Sequence, residues 1–520
     1  MDVGTVLRWT AERYPHRRVV GGPAPMSYAE WDAHTDGLAR ALADLGLRRG
    51  DRVAFPLAGG EPLASLHLAA QKLGAVSVPL SFRLSPAELR HCLGDADPKL
   101  VVSDATMAET TAAALAGLPP IPHYDAEGVA ALAARQPSGP PDVPISDRDI
   151  SVMLYTSGTT GRPKGVPRTH SAEHHAAVAH LLQTGQRPFD VTLGVMPMFH
   201  TMGLRTLLAT IVAAGTWVPQ ARFDADETLE LIVSEGVQCL YLVPTIYWSL
   251  VRTGRLAEAS SVRRIAYAGA SMTPALAEQL AGALRPERFV NHFGSTEIYT
   301  FTIGPDVAAK PGSAGRAGVF TRVRLVDPDP EAPPDAVVAP GEQGRLAVSM
   351  ASPEAFGGYW NRPDADERTI RNGWYFPGDL AIADEDGDLW VAGRVDEMIN
   401  SGGENLYPDE IEDALIRCDA VTDVVVVGLP DDRWGQAATA FFVPCVGTPP
   451  RQAVAEVDAF VRERSGLPSL KRPKRLIAVD AIRRSAVGKI LRREMAAGNY
   501  RTLADSDDLP ASGSSGQATA

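Results

Sequence analysis

"YTSGTTGRPKGV", residues 155–166, follows the apolar run "SVML" and sets three glycines, four Ser/Thr hydroxyls and one lysine within twelve positions. Glycines let the backbone approach a ligand closely, and the surrounding amide N–H groups and hydroxyls are donors; together they can cradle a polyphosphate. The Walker loop requires G-x-x-x-x-G-K-[ST], whereas here Pro163 precedes Lys164 and Gly165 follows it. That motif is therefore excluded on spacing. A polar turn between a strand and a helix has the same composition, and the loop alone does not separate the two readings.

The chain of 520 residues exceeds the size at which one hydrophobic core keeps growing, roughly 250 to 300 residues, so at least two domains are expected. Its 45% hydrophobic and 22% charged content is that of an ordinary soluble globular protein. A formal charge of -13 argues against a nucleic-acid partner. An anionic ligand would need locally placed cations. Cys92, Cys239, Cys418 and Cys445 show no C-x-x-C spacing, which suggests neither a zinc site nor a disulfide framework and fits a reducing cytoplasm. The start "MDVGTVLRWTAERYPHRR" lacks the apolar core of a signal peptide, and "LLATIVAAGTWV" is too short and Gly-interrupted to span a bilayer. No membrane passage is expected.

Along the first part, "YAEWDAHTDGLARALADLG" has helical apolar spacing, "DRVAFPL" reads as a strand, and "PLASLHLAAQKLGAVSVPL" reads as helix then strand. "ETLELIVSEG" continues as helix, and "VQCLYLV" and "RRIAYAGA" as strands. Such alternation predicts an α/β fold. "RQPSGPPDVPISDRD" is an exposed connector, and from about Val323 short strands and turns predict a small β-rich subdomain. Past "GRVDEMIN" the pattern is a compact α+β unit, and "ADSDDLPASGSSGQATA" has almost nothing to bury. The expected division is a large N-terminal domain of α/β subdomains plus the β-rich subdomain over 1–395, an α+β C-terminal domain over 396–502 and a disordered tail over 503–520. "HSAEHHAAVAH" places His170 and His174 four apart, but it lacks the H-E-x-x-H order and reads as a helix face.

Further stretches follow in order: "PMFHTMG" (197–203), "YAGASM" (267–272), "NHFGSTE" (291–297), "GWYFPGDL" (373–380), "GRVDEMINSGGENLYPDEIE" (393–412) and "SAVGKILRRE" (485–494). With the opening loop, they resemble the ordered motifs of the adenylate-forming superfamily of acyl-CoA synthetases, adenylation domains and luciferases, over nearly the whole chain except the tail.

Activating a carboxylate by attack on the α-phosphate of ATP demands charge neutralisation and in-line positioning more than a covalent catalyst. The resemblance implies that Thr156, Ser157, Gly158, Thr159, Thr160, Gly161 and Lys164 cover the outgoing phosphates. Glu297, with Thr160, would hold Mg2+, a role suited to hard oxygen ligands. Gly269, Ala270, Ser271, His292, Phe293, Gly294, Ser295 and Thr296 would wall the adenine pocket, Phe293 against the base. Asp379 would accept from the ribose hydroxyls, as an acceptor-only carboxylate can, and Arg394 would donate to them. Lys489 is implied as the catalytic lysine, its ammonium bridging the attacking carboxylate and the transferring phosphoryl group. Asp396 matches the hinge of a mobile C-terminal domain. Gly402, Gly403 and Glu404 would line the tunnel by which a pantetheine thiol reaches the acyl-adenylate.

Within the superfamily, "LGVMPMFHTMG", "GRVDEMINSGGEN", "GLPDDRWGQ" and "LKRPKR" are most similar to aryl-CoA ligases of the benzoate and chlorobenzoate type. That likeness implies Trp434 and Arg472 at the CoA nucleotide, an indole to stack and a guanidinium to meet phosphate. It also implies an acid pocket of Ala177, Thr201, Met202, Tyr241, Tyr299 and Thr300, with Ala270, His292 and Gly294, gated by His200. The chain departs from the chlorobenzoate pattern in placing the polar Thr201, His292 and Tyr299 there. The expectation is an ATP-, Mg2+- and CoA-using ligase, monomer or homodimer, that activates a benzoate-type acid, including hydroxy- or amino-substituted ones such as salicylate. A stand-alone adenylation enzyme loading a carrier protein, a medium-chain acyl-CoA synthetase and a nucleotide-binding protein without catalysis are the alternatives.

Overall fold

Strand Ile150–Ser157 enters the glycine-rich loop and strand Pro163–Thr169 returns antiparallel to it, with Thr156 opposite Lys164 and Tyr155 opposite Gly165. The loop thus tips a hairpin. The helix, His170–Thr184, starts only after the return strand, capped by Thr169, whose hydroxyl accepts from the Ala172 amide at 3.1 Å. Pro163 and Pro167 lack an N–H, and the return strand is the last of its sheet, where the missing donors cost least.

The structure is a computed structural model that describes residues 1–508 other than 138, 158–161, 330, 396, 402–403, 432, 470 and 485–489. Gly158, Thr159, Thr160, Gly161, Asp396, Gly402, Gly403 and Lys489 therefore lie outside the described residues, as do the side chains of Ser157 and Glu404 and the tail from 509.

Two compact units emerge, one of residues 1–377 and 382–390, the other of residues 378–381 and 391 onward. The larger carries two α/β sheets. In one, strands Arg288–Phe293, Arg264–Tyr267, Cys239–Leu242, Val191–Gly194, Thr216–Pro219 and Arg18–Val20 run parallel in that spatial order, with antiparallel strands at both edges. In the other, His123–Asp125, Leu100–Ser103, Arg52–Pro56, Val76–Leu80 and Ile150–Ser157 are parallel, and the hairpin strand closes the edge. Near-continuous burial of these strands is what helices on both faces require. The β-rich part expected from Val323 forms around Val323–Val326 and Gln343–Ser349, which pair antiparallel.

The smaller unit is built on the long hairpin Val421–Asp431 and Gly435–Pro444, with strand Arg475–Val479 parallel to its second arm. Helices Pro408–Leu415 and Pro450–Glu463 bury Ile411, Leu415, Val454, Val457 and Val461 in its core. Mixed α/β architecture with a large N-terminal and a small C-terminal unit is thus what folds. One boundary shifts: Thr502–Asp505 pairs with Arg475–Val479 and a short 3-10 turn follows at Ser506–Asp508, so the tail expected from 503 cannot begin there. Arg475 fastens this strand by pairing with the Asp505 carboxylate at 2.6 Å, a contact invisible to composition. Among the described residues, no helix is long and apolar enough to cross a membrane.

Deep in the larger unit, Trp31 of helix Tyr28–Asp44 stacks on Trp217 at 6.5 Å and donates its indole N–H to Ser65 at 2.7 Å. Below it, Lys72 is wholly buried yet paired with Asp32 and Asp36, each at 2.6 Å, as a charge in a dry interior must be. Trp31→Ala should lower unfolding stability by about 3 to 5 kcal/mol through lost contact and cavity formation. Trp248→Ala, at a half-exposed tryptophan, should stay within about 0.5 kcal/mol. Urea denaturation of the two variants measures both.

Candidate active site

Parallel strands deliver their following residues to one sheet edge, where α/β folds bind ligands. Strands Val191–Gly194, Cys239–Leu242, Arg264–Tyr267 and Arg288–Phe293 are sheet neighbours. The motifs "PMFHTMG", "YAGASM" and "NHFGSTE" thus emerge side by side. Gly269 turns the chain at φ 84°, and Gly269, Ala270 and Ser271 are exposed there.

After Phe293 the chain folds back tightly. Ser295 donates its amide to the Ile298 carbonyl at 3.0 Å, and the Phe301 amide donates to the Phe293 carbonyl at 2.8 Å. A side chain at Gly294 would put its Cβ 1.8 Å from the Tyr299 carbonyl oxygen, so only glycine closes this loop. Phe293 meets Phe301 edge-on at 5.3 Å, and Thr296 is half-buried. The loop presents Glu297, which is buried; its Oε1 accepts from the Tyr359 hydroxyl at 2.6 Å. Lys164 of the hairpin lies 4.0 Å from the centroid of the same Tyr359 ring. Burial lowers the Lys164 pKa, and the Glu297 carboxylate opposes that shift. The hairpin lysine and the buried carboxylate are therefore joined through one tyrosine. Tyr359 was missed by sequence reasoning; the signal was "FGGYW" (356–360), whose Trp360 amide also donates to the Gly165 carbonyl at 2.9 Å.

Behind this group sit charges in a dry interior. Arg168 donates to Glu173 at 2.5 Å, to the Thr296 carbonyl at 2.8 Å and to the Glu297 carbonyl at 3.3 Å. Arg205 pairs with the other oxygen of Glu173. Glu354 accepts from the Thr300 amide at 3.0 Å, and burial raises its carboxyl to about 7.

Of the residues expected to line the acid pocket, Met202, Tyr241 and Tyr299 share one core cluster, and His292 and Thr300 join it by hydrogen bonds. Tyr241 contacts His292 Nδ1 at 2.5 Å, His292 Nε2 contacts Thr300 Oγ1 at 3.1 Å, and Tyr299 contacts His180 Nδ1 at 2.8 Å. Burial lowers both imidazoles to about 3 and pushes the two phenols up. At neutral pH the imidazoles are uncharged and the phenols protonated, so each tyrosine has a hydrogen to donate to an imidazole nitrogen. The Thr201 hydroxyl is buried with no partner among the described residues, and His200 caps the helix Thr201–Val212 with its ring 4.8 Å from Phe199.

Ala177 is placed elsewhere. It belongs to the core cluster that also holds Val3 and Leu7 of the first helix, whereas its neighbour Ala176 belongs to the cluster of Met202, Tyr241 and Tyr299. One residue along a helix is a rotation of about 100°, enough to exchange the two faces. His180 and Gln183 of the same helix, which sequence reasoning omitted, reach the cluster instead, Gln183 donating to Thr300 at 3.2 Å. The helix-face reading of "HSAEHHAAVAH" holds: His170 Nδ1 accepts from the Val3 amide at 3.2 Å.

Within the smaller unit, Arg394 donates to Asp379 at 3.2 Å. Trp434 has two cations near its ring, Arg433 4.8 Å and Lys474 5.0 Å from the centroid. Arg472 donates to the Leu467 carbonyl at 3.1 Å. Lys474 has its pKa lowered by burial first, then by Arg433 and Arg472.

These features define an ATP-handling, adenylate-forming enzyme, and the AMP-binding enzyme family matches residues 7–360 while the AMP-binding enzyme C-terminal domain matches residues 410–489. The chain belongs to this family, and it is an AMP-forming acid–thiol ligase acting on an acyl or aryl acid. It is 36% identical over 494 residues to a feruloyl-CoA synthase of Amycolatopsis sp., covering 93% of this chain and 96% of that one. It is 34% identical over 503 residues to the long-chain-fatty-acid–CoA ligase FadD13 of Mycobacterium tuberculosis (94% and 97% covered), and 30% identical over 511 residues to a 4-chlorobenzoate–CoA ligase of Arthrobacter sp. (94% of each). Its fold superposes on o-succinylbenzoate-CoA synthetase of Bacillus subtilis in complex with ATP and magnesium with a TM-score of 0.82, at 26% identity over 94% of this chain and 98% of that one.

The raised Glu354 carboxyl makes stability pH-dependent. Between about 4.5 and about 7 the unfolded chain releases a proton that the folded chain keeps, so Glu354 subtracts stability as pH rises through that window and adds no further change above it. The melting temperature of Glu354→Gln relative to the parent should therefore climb across this window and level off. A gap constant with pH would mean that Glu354 titrates alike in both states.

Proposed function

We propose that the chain is an aryl-CoA ligase that activates a benzoate-type acid with ATP and passes it to CoA. The single observation that carries this reading is the hydrogen-bonded floor of Tyr241, His292, Tyr299, His180 and Thr300. Bulky, mutually bonded side chains there favour a short flat acid over a long alkyl chain. Buried polar groups also reject ligands that cannot satisfy them. A ring bearing a hydroxyl or amino group is the favoured substrate.

In the first half-reaction a carboxylate oxygen of the acid bonds to the α-phosphorus of ATP and the bond to the pyrophosphate oxygen breaks. Lys164 and the hairpin amides meet the departing phosphates, and Lys489 carries positive charge to the reacting groups. Glu297 fits a magnesium ion: its carboxylate is a buried hard-oxygen donor near Lys164, with Oε1 taken by the Tyr359 hydroxyl and the second oxygen left to meet the ion. When bound, that ion neutralises phosphate charge. Asp379 and Arg394 take the ribose hydroxyls. In the second half the CoA sulfur attacks the acyl carbon, its proton leaves, and AMP departs with the oxygen it gained. Trp434, Arg433, Arg472 and Lys474 meet the nucleotide end of CoA, an aromatic face near cations for adenine and phosphate. The relative that acts on ferulate favours a cinnamate-type acid as the second reading.

Thioester and pyrophosphate formation over benzoate, salicylate, aminobenzoates, cinnamates and octanoate tests the substrate. A benzoate class should lead in kcat/KM; octanoate exceeding every benzoate would sink the reading, and pyrophosphate without thioester would indicate a carrier-protein acceptor. Trp434→Ala should raise KM for CoA by about tenfold, equivalent to about 1.4 kcal/mol, with acid-dependent ATP–pyrophosphate exchange unchanged. Loss of both would place Trp434 in packing instead.

A further inference from the structure

Arg168, Glu173 and Arg205 have side chains with 0% exposure, and no motif of the active site includes them. Burying such ions costs several kcal/mol each, and apolar residues of similar volume pack as well or better, so their presence asks for a further role. Arg168 lies on the return strand of the phosphate hairpin, on the same face as Lys164, since residues 164, 166 and 168 alternate with period two. Its guanidinium reaches the carbonyls of Thr296 and Glu297 at 2.8 and 3.3 Å while Nε holds Glu173 at 2.5 Å. The Glu297 carbonyl also accepts from the Phe356 amide at 2.8 Å, so the backbone under that carboxylate is gripped from two sides. Arg205 grips the same Glu173 through its carboxylate and its carbonyl, the latter at 2.7 Å, and among the described residues makes no hydrogen bond to either loop carbonyl.

We propose that Arg168 is a positioning residue: it ties the strand bearing Lys164 to the backbone of Glu297, so that lysine and carboxylate meet the metal–nucleotide complex as one rigid unit. This rests on the reading of Glu297 as the magnesium-holding carboxylate. Residues behind a metal ligand commonly set its affinity by about 10- to 100-fold, and a planar fork spanning a carboxylate and two carbonyls cannot be replaced by a point charge.

The test is the binding of α,β-methylene-ATP, which cannot be adenylated, by calorimetry with Mg2+ and with EDTA. The ratio Kd(EDTA)/Kd(Mg2+) is compared among the parent, Arg168→Lys, Arg205→Lys and Glu297→Gln, with melting temperatures recorded alongside. Arg168→Lys should lower the ratio by about tenfold with EDTA binding retained, while Arg205→Lys, which disturbs the same buried cluster, leaves the ratio at the parent value. An unchanged ratio in Arg168→Lys with a collapsed one in Glu297→Gln overturns the positioning role alone, as does an equal fall in both arginine variants. An unchanged ratio in Glu297→Gln removes the metal reading and this proposal with it. Should Arg168→Lys not fold, Arg168→Gln, which leaves the Glu173–Arg205 pair in place, decides by the same ratio: a fall supports the role and parent behaviour overturns it.

Discussion

The carboxylate of Glu173, buried between two guanidiniums, is the constraint around which the larger unit's site is arranged. A lone carboxylate there would not survive ionised, so Arg168 must come from the hairpin strand and Arg205 from the helix that follows His200. Two cations against one anion then leave positive charge over, and it is met by the carbonyls of Thr296, Glu297 and Glu173 and by the nearby Glu354. Satisfying one buried ion thereby draws together the strand after the phosphate loop, the first turns of two helices and the loop that carries Glu297. Apolar packing alone would tolerate sliding among these segments; hydrogen bonds with fixed directions do not.

Much of this was legible in the sequence because the motifs are local. Glycines, prolines and hydroxyls at set spacing around residues 155–166 suit a phosphate loop, which only the further motifs in order single out from a polar turn, and helix–strand alternation implies parallel sheets. The hairpin was harder to see, because Pro163, Gly165 and Pro167 obscure the strand period of the return arm, and only its place at a sheet edge makes them tolerable there. Tyr359, Glu354 and Arg168 escaped for another reason. Each lies far along the chain from the groups it serves, and a lone Tyr, Glu or Arg has no local pattern that tells a buried partner from a solvated surface group.

Ala177 shows the finer limit. Carrying a pocket over by position assumes that helix His170–Thr184 keeps its rotation, and a difference of one residue puts Ala177 in the cluster of the first helix while Ala176 joins that of Met202, Tyr241 and Tyr299. In the smaller unit a similar blindness applies to charge. Arg484 pairs with Asp423 at 2.7 Å, and Arg492 pairs with Glu397 at 2.9 Å and with Asp409 at 2.7 Å. "LRRE" is therefore an anchor as well as a basic stretch.

The acid side of the site uses the opposite physics. Where the Glu173 cluster is charged and fixed, the Tyr241, His292, Tyr299 and His180 network is neutral, because burial keeps the imidazoles unprotonated and the phenols protonated. A neutral network avoids the cost of a buried ion, and its hydroxyl hydrogens can turn between partners without moving heavy atoms. It can therefore trade one internal hydrogen bond for one to a ring substituent at little net cost, whereas an apolar tail pressed into it would leave donors and acceptors unpaired at about 1 to 3 kcal/mol each. Charge fixes the backbone around Glu297 in the larger unit. On the proposed reading, neutral hydrogen bonding, reached at His180 about two helical turns along from Glu173, would select the acid.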